Sequence, residues 1–217
     1  MAINNVEALF AESLNELELT KKQKSVLRAS LTLFSEQGFD RTSTSDIARV
    51  AGVSEGTVYK QFKTKEGILK ALLGPFIQQV LPKAAGEFLD TFANTNVPDF
   101  ETFLRRIVAD RLTFFETNKL QLKIFIQEIL SNSDMAATFI NKTVGGAITR
   151  ITAVMKFYQQ KNEIVDWDPV RIVRYIMSTM LGYALPNLIQ PDKKLNIEQS
   201  TDEVVEFIMR GIGIKKS

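Results

Sequence analysis

Two residue types are missing altogether from this 217-residue chain: cysteine and histidine. Without cysteine there is neither a disulfide nor a thiol nucleophile, which suits a reducing compartment. Without histidine, the commonest general base and the commonest metal ligand are both gone. Catalysis would have to rest on a carboxylate pair or an activated lysine, and no compact acidic motif occurs; the stretch VGGAITR, 144–150, lacks the strand that a phosphate-binding loop requires. Neither an enzyme nor a metal or other cofactor is expected. No apolar run reaches membrane-spanning length. The first twenty residues hold four acids and no Lys or Arg, the opposite of a secretory signal. The expectation is a soluble, cytoplasmic protein with no membrane partner.

What is present is a chain that is 45% hydrophobic and 24% charged, ample for a packed core. The net charge of +2 is unevenly spread, with ten Lys/Arg against five Asp/Glu in residues 21–70. A basic block in a nearly neutral chain suits a polyanion, although a solvated face would look the same. Apolar residues recur at intervals of three and four nearly throughout, with Gly or Pro at the breaks, so the fold class is all-α. The pattern predicts an amphipathic helix over 4–18, then helices at 21–37, 43–51 and from Ser54. Further helices are predicted near 64–73, 76–94 (kinked at Pro82), 99–117, 119–131, 134–161, 169–190 and 199–213. The expected division is an extra N-terminal helix (1–20), a small domain (21–70) and a larger helical domain (71–217).

The stretch SEGTVYKQF, 54–62, carries the chemistry. With Ser54 as N-cap, Val58 and Phe62 point to the core and Glu55, Gly56, Thr57, Tyr59 and Lys60 remain outside. Joined through Gly52 to the preceding helix, which Ser43 to Asp46 cap, this is a helix-turn-helix. In such a unit the second helix lies in the DNA major groove, its first residues against base edges. Gly56 allows close approach, Thr57 can meet a base edge or phosphate, and Tyr59 and Lys60 can reach phosphate oxygens. Glu55 faces a polyanion, so it is either a cytosine N4 acceptor or a bystander. Thr44, Ser45 and Lys65 are candidates for further phosphate contacts.

The segment FSEQGFDRTSTSDIARVAGVSEGTVYKQFKTKEGILKALL, 34–73, resembles the DNA-binding domain of TetR-family transcriptional regulators. The likeness is collinear through Gly38-Phe39, Asp46-Ile47-Ala48, Ala51-Gly52-Val53-Ser54, Gly56-Thr57-Val58-Tyr59, Phe62 and Lys65-Glu66; Gln61 departs from the aromatic or histidine common there. The resemblance implies a homodimeric repressor of a near-palindromic double-stranded DNA operator, released when a small hydrophobic or amphipathic effector binds the larger domain. It implies dimer contacts from the last two helices, with Ile172, Ile176, Met180, Leu188, Val204, Phe207 and Ile208 as candidates; the same residues could complete a monomer core. Candidate effector contacts are Phe103, Ile107, Arg111, Phe114, Phe125, Phe139, Met177, Met180 and Tyr183, since aromatic and Met side chains suit an adaptable lipophilic site as well as an ordinary core. Arg111 interrupts an apolar stripe, as a polar anchor or as the partner of an acid. An alternative keeps the DNA-binding unit and replaces the small effector with a protein partner.

Overall fold

The computed structural model describes residues 5–93, 97, 99–190 and 192–214. Among them the chain is helical apart from connections and an isolated antiparallel bridge between Ile164 and Gly213. The helices are α1 (Val6–Glu16), α2 (Lys21–Gln37), α3 (Thr44–Ala51), α4 (Glu55–Phe62), α5 (Lys65–Pro75), α6 (Leu81–Ala93), α7 (Phe100–Ser131), α8 (Ser133–Phe139), α9 (Gly145–Gln160), α10 (Pro169–Ile189) and α11 (Ile197–Ile212).

Three predicted boundaries move, each for a local reason. Gly74-Pro75 does not break the chain's helical course: a π-helical turn, Phe76–Val80, joins α5 to α6. Its wide ring closes with the Leu81 N–H bonded to the Phe76 carbonyl, just before Pro82, which has no N–H to continue the ladder. The break expected at 118 is absent, and α7 runs through. Buried Asn118 turns its side-chain amide back to the Phe114 carbonyl (2.7 Å), a bond compatible with the helix. The helix expected over 134–161 is interrupted by a second π-helical turn, Ile140–Val144.

The chain packs as two compact units. One comprises Asn5–Ala84 and Leu120–Thr143; the other comprises Ala85–Lys119 and the stretch from Val144 onward. In the first unit α1 is part of the core, with Val6, Leu9, Phe10 and Leu14 at most 2% exposed. Aromatic rings run from Phe10 through Phe76 and Phe125 to Phe139, with centroids 5.2–6.3 Å apart. Phe34 and Phe39 meet edge to face at 5.2 Å, fixing the chain as it leaves α2.

In the second unit a core of Phe100, Leu104, Val108, Ile172, Val204 and Ile208 joins α7, α10 and α11. Glu163 is buried there. Its carboxylate accepts the Phe100 N–H (2.6 Å) at the start of α7 and pairs with Lys161 (2.8 Å), so the buried charge is both hydrogen-bonded and neutralised.

Gly52, between α3 and α4, has φ +67° and ψ 35°, and a Cβ there would meet no atom within 4 Å. The penalty for Gly52→Ala is therefore one of backbone conformation, about 1 kcal/mol. A lowered urea midpoint with unchanged slope is expected; an unchanged midpoint would contradict the left-handed turn.

Candidate nucleic-acid interface and cavity

Helices α3 and α4 have eight residues each, too short to be stable alone. Their ends supply what length does not. Ser43 Oγ accepts the Asp46 N–H (3.0 Å), and the Asp46 carboxylate accepts the Ser43 N–H (3.2 Å) and hydroxyl (2.6 Å). The Ser43 hydroxyl and N–H, with Arg49 beside them, hold the Asp46 carboxyl below its ordinary range. A depressed carboxyl stabilises the fold above the unfolded-state value, and that contribution disappears as pH falls through the folded value, so this cap weakens only in strong acid. Ser54 Oγ accepts the Thr57 N–H (3.3 Å) at the start of α4. At its end, Lys63 adopts φ +66° and returns its N–H to the Tyr59 carbonyl (2.9 Å).

Among the described residues, Val58 is the one α4 side chain that is buried. Glu55, Gly56, Tyr59 and Lys60 are exposed, Tyr59 by 66%, and Thr57 is half-buried. The Thr57 hydroxyl lies 2.9 Å from Ser54 Oγ, and the Thr44 hydroxyl donates to Glu55 Oε1 at 2.9 Å across the turn. Ser45 is exposed beside them. A groove of about 440 Å³ runs between Thr44, Glu55, Gly56, Tyr59, Lys63 and Thr64. Four of the eight residues expected on this face, Thr44, Glu55, Gly56 and Tyr59, line the groove, and Ser45, Thr57 and Lys60 stand on the same two helices with part or all of their surface in solvent. Lys65 is the exception: its ammonium donates to the Phe39 and Asp40 carbonyls (2.9 and 3.3 Å) and stands 4.4 Å from the Phe39 ring centre. It fastens the α2–α3 connection with two of the three N–H donors of its ammonium, a structural role the spacing did not announce. Lys63, missed from sequence, lies in the groove with its ammonium 5.7 Å from the Tyr59 ring centre; its position at the helix end offers no periodic signal.

The second unit forms a half-open cavity of about 1140 Å³ between parts of α6, α7, α9 and α10, somewhat above the usual range for a small-molecule site. Of the nine side chains expected to line a pocket, Phe103, Ile107, Arg111, Met177 and Met180 do so. The other four do not. Phe125 and Phe139 belong to the aromatic row of the other unit. Phe114 instead stacks on Arg111, and Tyr183 donates its hydroxyl to Glu203 of α11 (2.7 Å). Sequence reasoning did not place Phe88, Ile151, Val154 and Tyr158 in this wall, because no spacing along the chain brings α6 and α9 together with α7.

Arg111 is the partner of an acid, and it also lines the cavity. Its guanidinium carbon is 3.9 Å from the Phe88 ring centre and 4.7 Å from that of Phe114. Nε and one terminal nitrogen donate to Asp110 Oδ2 (2.8 and 2.5 Å). Burial pulls its pKa down, and Asp110 pushes back. Burial, with Glu163 and Asp99 nearby, pushes the Tyr158 phenol up to about 12, so that wall residue stays neutral. Among the described residues no cluster of three or more acidic side chains is arranged to hold a metal ion, and no helix is long and apolar enough to cross a membrane.

The candidate dimer residues divide sharply. Ile172, Ile176, Met180, Leu188, Val204 and Ile208 are at most 8% exposed and belong to their own chain's interior, whereas Phe207 is 67% exposed. The correction has a geometric cause. Positions 172, 176, 180, 184 and 188 form the inward stripe of α10, and Met177, Leu181, Leu185 and Ile189 form a second, outward stripe one residue on. One residue is about 100° of helix rotation.

The family model described as "Bacterial regulatory proteins, tetR family" matches residues 26–72. HTH-type transcriptional regulator UidR of Escherichia coli (strain K12) is 30% identical over 140 residues, 64% of this chain and 67% of UidR. Fatty acid metabolism regulator protein of Bacillus subtilis (strain 168) is 23% identical over 194 residues, 88% of this chain and 95% of that one. The solved structure of a Saccharomonospora viridis protein in complex with choline aligns with a TM-score of 0.67 at 16% identity, covering 89% of this chain and 98% of that chain; at that identity the likeness is one of fold.

The two lysines should separate in solution. Lys65→Met is expected to destabilise the chain by about 1–2 kcal/mol by removing its bonds to the two carbonyls, while Lys60→Met should stay within about 0.5 kcal/mol of wild type. Urea titrations compare them, and equal effects would contradict the tether.

Proposed function

This chain belongs to the TetR family of bacterial regulatory proteins, which are DNA-binding transcription regulators and not enzymes, and from that premise we propose that it is a repressor released from a near-palindromic operator by a small lipophilic effector. The observation that carries the DNA half is α4 itself: an eight-residue helix, capped at both ends, that buries Val58 and leaves Tyr59 and Lys60 in solvent. A helix selected to fill a core would bury a full apolar stripe. On this reading Gly56 lets the backbone approach the groove floor. Thr57 and Glu55 meet base edges, the latter steadied by Thr44, and Tyr59, Lys60 and Ser45 hold phosphates. Lys63 joins them in holding the DNA backbone.

The effector half is supported by the size and apolar wall of the α6–α7–α9–α10 cavity. The Bacillus subtilis relative aligned along 88% of this chain is named for fatty acid metabolism, in keeping with a lipophilic effector. A coupling of ~1–3 kcal/mol between effector and operator would release the repressor effectively. The protein would act in the cytoplasm, where its DNA is.

Two copies are needed to place two short helices about one DNA turn apart. The outward stripe of α10, Met177, Leu181, Leu185 and Ile189, together with Phe207 of α11, supplies an apolar face for that pairing.

Lys60→Ala, which removes one cation from the DNA backbone, should lower the slope of log affinity against log salt by about 1. Tyr59→Ala and Thr57→Ala should weaken operator binding at least about tenfold, the worth of one or two hydrogen bonds to DNA. Electrophoretic shift and anisotropy titrations test this, and undiminished binding by all three variants would refute the proposed reading face. Leu181→Glu and Phe207→Glu should each turn the dimer into a folded monomer in sedimentation experiments; a dimer that survives both sinks the proposed pairing.

A further inference from the structure

The cavity wall has few polar members: Arg111, Tyr158 and the pair Asp90 and Arg150. Arg111 reaches it between the rings of Phe88 and Phe114. With its Nε and one terminal nitrogen engaged by Asp110, its other terminal nitrogen makes no hydrogen bond among the described residues. The second charged feature of the wall, Asp90 with Arg150, is an ion pair at 2.7 Å and therefore already neutral. The Tyr158 hydroxyl points to the Val97 carbonyl at 3.4 Å. The side chain of Arg111 is 18% exposed and is paired with the Asp110 carboxylate, so its remaining donors are held largely out of water. What Asp110 leaves over is N–H donors, and an anionic acceptor on them makes a shorter and stronger hydrogen bond than a neutral one.

The aromatic rings argue the same way by exclusion. Quaternary ammonium ligands are bound in cages of open aromatic faces. Here cations of the chain already stand against three of the lining rings: Arg111 at Phe88, and Lys161 at Phe157 and Tyr158, 5.3 and 5.6 Å from the ring centres. A cationic ligand such as the choline of the Saccharomonospora viridis structure would compete with these groups for the rings and meet like charge.

Resting on the effector reading of this cavity, we infer that its ligand is a single-chain amphiphile with an anionic head, the head on the free edge of Arg111 and the alkyl chain among Phe103, Met155, Ile176 and Met180. The guanidinium offers N–H donors to a carboxylate edge-on while its carbon stays 3.9 and 4.7 Å from the Phe88 and Phe114 ring centres. The remaining wall asks nothing of the tail but apolar surface. Arg111 then acts as a specificity residue: it selects the head group and leaves affinity to chain length.

Calorimetric titration of the full chain with three twelve-carbon compounds below their micelle concentrations tests this: dodecanoate, dodecanol and dodecyltrimethylammonium. Dodecanoate is expected to bind about ten- to a hundredfold more tightly than dodecanol, the range of a charge-assisted hydrogen bond, and dodecyltrimethylammonium most weakly. Decanoate should bind roughly tenfold more weakly than dodecanoate, the effect of two methylenes. Arg111→Gln should remove most of the preference for the carboxylate and leave dodecanol within about twofold, a change below the worth of one hydrogen bond; Arg111→Lys should keep part of it. Equal or tighter binding of the trimethylammonium compound, or an Arg111→Gln variant that shifts all three alike, overturns the inference. Should Arg111→Gln not fold, the wild-type series decides alone. Dodecanol binding without a carboxylate preference sinks the head-group assignment and spares the cavity; no binding by any of the three sinks the effector reading with it.

Discussion

A helix of two turns that leaves its outer face to solvent must be stabilised at its ends, and this constraint organises the N-terminal half of the molecule. Hydroxyls of Thr20, Ser43, Ser54 and Thr64 accept the first free N–H groups of α2, α3, α4 and α5 in turn. Each such cap contributes about 1 kcal/mol. That is a large share of what an eight-residue helix can gather, given that α4 buries one side chain. Gly38 and Gly52 end α2 and α3 in positive-φ conformations, and Lys65 closes the frame from behind through the Phe39 and Asp40 carbonyls. The outer face of α4 is thereby released from structural duty, which is what a surface read against a base-pair edge requires.

The other unit solves a different problem, that of keeping a charge inside an apolar wall. An isolated buried guanidinium would be costly. Asp110 supplies the countercharge, while the rings of Phe88 and Phe114 lie against the weakly hydrated guanidinium. Glu163 follows the same logic at the start of α7, where a helix N–H and Lys161 stabilise its carboxylate. The contrast between the two lies in what is left over: the donors of Arg111 are incompletely engaged, and they lie against a cavity.

Helix α10 has two apolar stripes, and the second, apart from Met177 at the cavity, lies in solvent in the single chain. Ile172, Ile176 and Met180 complete the interior with Val204 and Ile208 of α11. Leu181, Leu185 and Ile189 face outward beside polar neighbours. The proposed pairing of two copies is the simplest use of that surface, and it serves the DNA reading, since a single short helix cannot by itself read a palindrome.

How far the molecule was legible beforehand depended on the range of the interaction. Features set within about four residues could be read directly. The extent of α2, the capping box at Ser43 and Asp46, the tight turn at Gly52, the N-cap at Ser54 and the outward setting of Glu55, Tyr59 and Lys60 all follow from local backbone chemistry and helical period. The all-helical fold and the helix-turn-helix needed nothing more. Residues far apart in the chain met in ways no spacing announces. Phe125 and Phe139 left the expected pocket for an aromatic row begun by Phe10, and Arg111 found Phe88 on another helix. The inward stripe of α10, not the outward one, claimed Ile172 and Ile176. An apolar residue encodes that it will be buried; the neighbour that buries it is chosen only when the helices pack, because hydrophobic attraction has no direction of its own.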